Sequence, residues 1–176
     1  MEEIAKNSPA GIILREKDLS EQEYRSLSQK VIKICEQYHI TCILHSFAKI
    51  AIELNAKAIH LTLPQLKQMS DTEKNQFKMI GASCHSVEEA VKAEQMGCSY
   101  IIAGHIFATD CKKGVPPRGI AFLENVCKAV SIPVFAIGGI NSQNIDSVRN
   151  AGAKGACIMS GLMCCKDVQS YLKDLK

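Results

Sequence analysis

Between Gly104 and Gly114 the chain places His105, Asp110, Cys111, Lys112 and Lys113, side chains that can carry protons, act as a nucleophile or hold positive charge. Histidine titrates near neutrality and moves a proton in either direction. His105 follows an apolar run, Tyr100-Ile101-Ile102-Ala103, and a glycine, so it stands at the mouth of a strand. Proton transfer is the chemistry this stretch suits, with His105 as the carrier. A packed or solvated ring is the plainer account of any histidine, and it fits His39 better than His105. His60 and His85, at or just past strand ends, lie between the two. Lys112 and Lys113 suit a phosphate or carboxylate, against the alternative of a flexible surface pair. Arg15, just past another apolar run, can grip an anion with two N–H groups, or simply balance Glu16. Cys111 sits beside a lysine, which favours a thiolate. No base and orienting group accompany it, so its role is supporting.

Two glycine-rich turns read as phosphate cradles: Gly138-Gly139-Ile140 before a helix, and Met159-Ser160-Gly161 after the next strand. Backbone N–H groups at helix starts bind phosphate without a basic side chain. A tight turn explains one Gly-Gly pair equally well; two such turns in succession favour the phosphate. The histidines form no compact triad and no C-x-x-C spacing occurs, so no metal site is expected.

The elements that must position these residues follow from apolar runs and caps. The N-terminal residues 2–6 read as a short helix stopped by Pro9, then residues 10–14 as a strand. Ser20 and Glu23 make a capping box for a helix reaching Tyr38, with Leu27, Val31, Ile34 and Cys35 on one face. Strands follow at 40–44, 58–61, 79–85, 99–103, 132–137 and 156–159. Helices are expected at 47–54, from Pro64 toward Met69, after Ser86 with Glu89, at 120–130, at 143–151 capped by Asn141 or Ser142, and at the C-terminus. Residues 71–78 read as a polar bridge. Alternating helices and nearly all-apolar strands mean α/β with a parallel sheet. Polar or glycine-rich strand ends recur, as at the working face of a TIM (β/α)8-type barrel. A doubly wound sheet is the runner-up, but Arg15-Glu16-Lys17 stands where its glycine-rich fingerprint belongs. Seven strands leave the barrel without its first. Bare strand edges tend to pair, so a partner copy, rearranged N-terminal residues or a preceding segment is expected to fill the place. A homo-oligomer is one such outcome.

Composition bounds the rest. The 176 residues, 47% apolar and 22% charged with net charge +3, fit one globular domain spanning 1–176. Lys and Arg are scattered and no aromatic residues interleave with them, which argues against nucleic acid. Phe107, Phe122 and Phe135 lie in or beside apolar runs and read as core. The nine cysteines come without a signal peptide. Six of them (Cys35, Cys42, Cys84, Cys98, Cys127, Cys157) mostly fall in apolar patterns, which suggests reduced, buried side chains in a cytoplasmic protein. No run is long enough to cross a membrane.

With these residues in view the chain resembles the thiamine phosphate synthase superfamily over nearly its whole length. The resemblance is carried by Leu14-Arg15-Glu16-Lys17, Gly81 to Ser86, Gly104 to Thr109, Ala136 to Ile140 with Asn144, and Ile158-Met159-Ser160, in the family's order. It is closest to the thiazole tautomerase, or TenI, branch, whose Gly-His-(Ile/Val)-Phe-x-Thr-Asp-Cys-Lys-Lys-Gly motif is matched by Gly104 to Gly114. The synthase branch uses magnesium held by aspartates; the matching positions here are Ser46 and Gln65, with His45 in place of asparagine. Ile13 replaces the glutamine before Arg15 and Lys17, and His105 replaces a proline. The resemblance therefore implies an isomerase of thiamine biosynthesis. It would shift a proton and a double bond in a dearomatised thiazole carboxylate phosphate, with His105 as the proton-transfer group and no cofactor. Gly138, Gly139 and Ser160 would hold the phosphate and Lys112 the carboxylate. Arg15, Ser83 and Met159 complete the expected substrate contacts. The alternatives are a magnesium-dependent thiamine phosphate synthase and a non-catalytic binder of phosphorylated ligands.

Overall fold

The structure, a computed structural model, describes residues 1–175 and divides into two compact units, Met1–Ile80 and Gly81–Lys176. In the first unit, α1 (Glu2–Lys6) leads to β1 (Ile12–Leu14), α2 (Glu21–Gln37), β2 (Cys42–His45), α3 (Ala48–Glu53), β3 (Ala58–Thr62), α4 (Leu63–Gln68) and α5 (Asp71–Lys74). Its strands pair in parallel, β1 with β2 and β2 with β3. The boundary between the units falls within β4 (Met79–Cys84). That strand is followed by α6 (Val87–Gln95), β5 (Tyr100–Gly104), α7 (Gly119–Ala129), β6 (Val134–Ile137), α8 (Ile145–Asn150), β7 (Gly155–Cys157), α9 (Ser160–Cys164) and α10 (Val168–Lys173). Here β4, β5, β6 and β7 pair in sequence order, all parallel. Each helix returns the chain to the same edge, so the C-terminal ends of neighbouring strands line up.

Local rules account for most boundaries. Ser20 and Glu23 form the expected reciprocal cap on α2. The buried line of that helix is Tyr24, Ser28, Val31 and Cys35, at spacings of four, three and four. Leu27 and Ile34, expected on that face, flank it half-buried. The polar bridge expected at 71–78 instead begins as a helical turn, α5, capped by Ser70 and Glu73. The signal is the one read correctly at Ser20. Phe107, Phe122 and Phe135 are half-buried rather than core, and the Arg118 guanidinium lies 5.5 Å from the Phe122 ring centroid. Among the described residues no cysteine forms a disulfide; Cys35, Cys84 and Cys98 are buried, whereas Cys42, Cys127 and Cys157 are only half-buried. Burial pushes the Cys42, Cys84 and Cys157 thiols up to about 12, which keeps them protonated and unreactive.

Tyr24 ties α2 to two strand ends. Its fully buried hydroxyl accepts from His45 N (2.9 Å) and donates toward Leu14 O (2.9 Å), while its ring stacks on Phe47 at 4.1 Å. Tyr24→Phe keeps the stack but strips the His45 N–H of its partner. Stability should fall by about 1–3 kcal/mol, the cost of a buried unpaired donor. A urea midpoint matching that of the wild type would show that another acceptor takes over.

Candidate functional site

Strand ends carry the polar groups in each unit. In the first unit, Arg15 and Lys17 follow β1, His45 closes β2 and His60 lies in β3. His45 and His60 sit opposite each other in the strand register, their ring centroids 5.5 Å apart and their residues only 6% and 2% exposed. Burial, reinforced by Arg15 and Lys17, lowers the His45 pKa to about 4. Burial, with His45 and Arg15 adding to it, lowers that of His60 to about 3. Both rings are neutral at pH 7.

Unfolded histidines bind protons below about pH 6.5. The folded rings do so only near pH 4 and pH 3. Over that window the unfolded chain holds more protons, so stability is full above pH 6.5 and is lost as pH falls. The loss should reach about 3 kcal/mol by pH 5.5, still above the carboxylate range. Urea midpoints at pH 7.5 and pH 5.5 check it; equal midpoints would contradict two buried neutral rings.

Ser46 and Gln65, the positions matched to the synthase aspartates, border a cleft of about 300 Å3 in the first unit, together with Lys49 and Met69. Their oxygens do not fit a magnesium ion. Ser46 Oγ is 2.5 Å from His45 Nδ1 and donates to Gln65 Oε1 at 3.3 Å. Gln65 Oε1 also accepts from Thr62 N and Thr62 Oγ1, at 3.0 and 2.9 Å, as the cap of α4. Neither side chain is a carboxylate, and hard divalent cations seek charged oxygen ligands. Among the described residues, no group of three or more His, Cys, Asp or Glu side chains gathers into a metal-binding set.

The second unit brings His105 and Gly138 together. The chain past β5 keeps pairing with the end of β6: Ile106 N donates to Ile137 O (2.9 Å) and Phe107 N to Gly138 O (3.1 Å). The Gly104–His105 peptide is cis. Residues 106–117 loop out and return, closed by Arg118 N donating to His105 O (2.9 Å) and Gly119 N to Ile106 O (3.0 Å). His105 is 7% exposed, and its Nε2 lies 3.2 Å from Val115 O. A carbonyl oxygen only accepts, so Nε2 carries a proton in this contact, and in the neutral ring the lone pair lies on Nδ1.

Gly138 and Gly139 have a packing reason to be glycine. Both adopt positive φ, +99° and +65°. A Cβ on Gly138 would overlap His105 Cβ and come within 2.9 Å of His105 Cα, and one on Gly139 would press on Phe107 and Ala108. Their turn does not lead directly into a helix, as expected from the sequence. α8 begins only at Ile145, and its cap position is Asn144, not Asn141 or Ser142. Asn144 braces the turn, accepting from Asn141 N and donating to Gly139 O, both at 2.9 Å. Gln143 N is taken by Asn141 Oδ1 (2.9 Å). The turn after β7 does open a helix, the short α9, with Met159 (55% exposed) at its cap position and Ser160 exposed as its first residue.

Ser83 lies half-buried in β4 opposite Ile102 of β5. Lys112 ends an exposed 3-10 turn inside the loop, whose Cys111 is also exposed. Arg15 is exposed and belongs to the first unit. The sequence reading missed the Val115 carbonyl, for which no sequence signal exists. It also missed the clamp by Asn144, which the i, i+3 pair of asparagines announces.

A thiamine-phosphate synthase from Fusobacterium nucleatum is 33% identical over 180 residues, covering 99% of this chain and 87% of that protein. One from Clostridium acetobutylicum is 33% identical over 172 residues, covering 96% and 81%. The solved structure of a thiamine phosphate pyrophosphorylase from Pyrococcus furiosus superposes with a TM-score of 0.85 at 28% identity, covering 99% of this chain and 84% of that one. The seven parallel strands among the described residues, with their helices, are thus those of a TIM-barrel-type fold. The names of these relatives support a synthase better than a tautomerase. The family model described as thiamine monophosphate synthase (TMP-TENI) matches residues 1–162, and the chain belongs to that family.

Proposed function

We propose that this protein is an enzyme of thiamine biosynthesis that acts on a phosphorylated thiazole, and that its reaction is the proton shift that aromatises a thiazole carboxylate phosphate. The observation that supports it is the buried His105 ring, whose Nε2–H faces the Val115 carbonyl and whose Nδ1 is left as a base. Nδ1 takes the proton from the ring carbon; the electron pair moves to form the aromatic double bond, and a proton is delivered to the exocyclic carbon. The substrate is isomerised with no net oxidation, so no cofactor takes part. Orientation and one positioned base account for the rate. Backbone N–H groups at Gly138, Gly139 and Ser160 suit the phosphate, Lys112 the carboxylate, and Ser83 and Met159 the walls. Nine cysteines without a disulfide among the described residues suit a reducing cytoplasm. Among the described residues no helix is long and apolar enough to cross a membrane.

A second reading, magnesium-dependent condensation of a pyrimidine diphosphate with a thiazole phosphate to give thiamine phosphate, draws on the names of the relatives. Against it stand Ser46 and Gln65, neutral side chains engaged with their neighbours. One pair of assays separates the readings. The purified protein is expected to convert the dearomatised isomer, followed by NMR, and to form no thiamine phosphate with saturating substrates and magnesium. The reverse outcome would establish the synthase. Tight binding of thiazole phosphate with neither turnover would make the protein a binder.

A further inference from the structure

His85 has no part in the proton shift as described, yet its ring is bonded to the segment that carries the base. The β4–β5 pairing runs from Gly81 opposite Tyr100 to Cys84 opposite Ala103 and ends there. At the next residue the backbone is diverted: His85 N donates to Glu89 Oε2 at 2.6 Å, at the entrance to α6. The side chain reaches across instead, with Nδ1 2.7 Å from Gly104 O. The carbonyl can only accept, so His85 carries its proton on Nδ1.

Gly104 O belongs to the peptide that joins β5 to His105. The far side of that peptide is held tightly. Ile137 O and Ile137 Cγ2 lie 2.5 and 2.6 Å from where a Gly104 Cβ would be, and Ile106, Phe107 and Arg118 fix the backbone beyond it. On the β4 side, the His85 ring supplies the bond to Gly104 O. We propose that His85 is a positioning residue: its Nδ1–H, donated to Gly104 O, sets the peptide plane from which the His105 ring projects. His85 then acts on the reaction through His105 and does not itself transfer the proton. The kinetic part of this inference rests on the proton-shift reading; the structural part does not.

Three substitutions test it. In H85N the amide nitrogen takes the place of Nδ1 and can still donate to Gly104 O. H85A has no donor, and H85Q moves the amide out to where Nε2 stands. H85A and H85Q are expected to lower kcat for isomerisation by roughly 10–100-fold, with KM changed less than about twofold, because a misplaced base slows chemistry more than binding. H85N is expected to regain most of the lost kcat. If H85N is as slow as H85A, the ring itself moves protons and the positioning role is wrong. An unchanged kcat in H85A overturns it as well. Long-range 1H–15N spectra of the imidazoles give a readout without turnover. His105 should show a single Nε2–H tautomer in the wild type and in H85N, and a mixture in H85A. If the wild type proves inactive toward the isomer, the proton-shift reading fails. The spectra still decide whether His85 orders His105, and an identical His105 signature in H85A rejects it. Thermal melts confirm that each variant is folded, and H85N carries the test if H85A is not.

Discussion

His105→Asn is expected to slow isomerisation by roughly 100- to 10,000-fold, the usual contribution of a positioned acid–base group. KM should change little. The amide occupies part of the imidazole volume but has no basic lone pair at neutral pH, so the loss falls on the chemical step. Folding should be nearly unaffected: the contact given up is the one between Nε2 and Val115 O, at 3.2 Å, worth about 1 kcal/mol. Steady-state kinetics on the dearomatised substrate, with binding of the aromatic product measured in parallel, check both halves. Equal turnover in the two proteins would remove His105 from the mechanism.

Gly138→Ala should have the largest effect on stability. At φ +99° an alanine is strained, and its Cβ would collide with the His105 backbone and Cβ. The collision is with main chain, which cannot swing aside as a flexible side-chain tip can. Strain and overpacking together predict a loss of roughly 2–4 kcal/mol in urea unfolding. Activity per folded molecule should fall too, because relief of the clash means moving the His105 segment away from the end of β6. The same substitution separates two roles for this glycine. If Gly138 serves only as a phosphate cradle, the variant keeps its stability and kcat and shows a raised KM. If it seats the His105 segment, stability and kcat fall together.

How much of this was legible beforehand depended on the range of the interaction. Capping at Ser20 and Ser86 is a three-residue signal and was read correctly. The same signal at Ser70 is masked by the polar stretch around it, and a four-residue helix buries no apolar face to confirm it. The start of α8 was misplaced because the neighbouring residues Asn141, Ser142 and Asn144 all suit a cap. Only the brace from Asn144 to Gly139 O selects among them.

His105 could be picked out from sequence because its surroundings are local: an apolar strand, a glycine, then a loop. Its tautomer could not, because Val115 lies ten residues away at the far end of that loop. The pair of glycines was visible as a turn and suggested a ligand. Packing shows that these glycines also make room for the neighbouring strand's continuation. His60 stands at or just past a strand end in the sequence, but its neutrality and that of His45 come from burial and from nearby Arg15.

The alternation of strand and helix, the parallel class and the position of His105 just past a strand were thus determined by the sequence itself, since periodicity, caps and strand ends depend on near neighbours. Which nitrogen of His105 faces the Val115 carbonyl, why Gly138 must lack a side chain and how His85 reaches Gly104 were decided by tertiary structure alone. Each depends on a carbonyl or a backbone segment that only parallel pairing of β4, β5 and β6 brings within bonding distance.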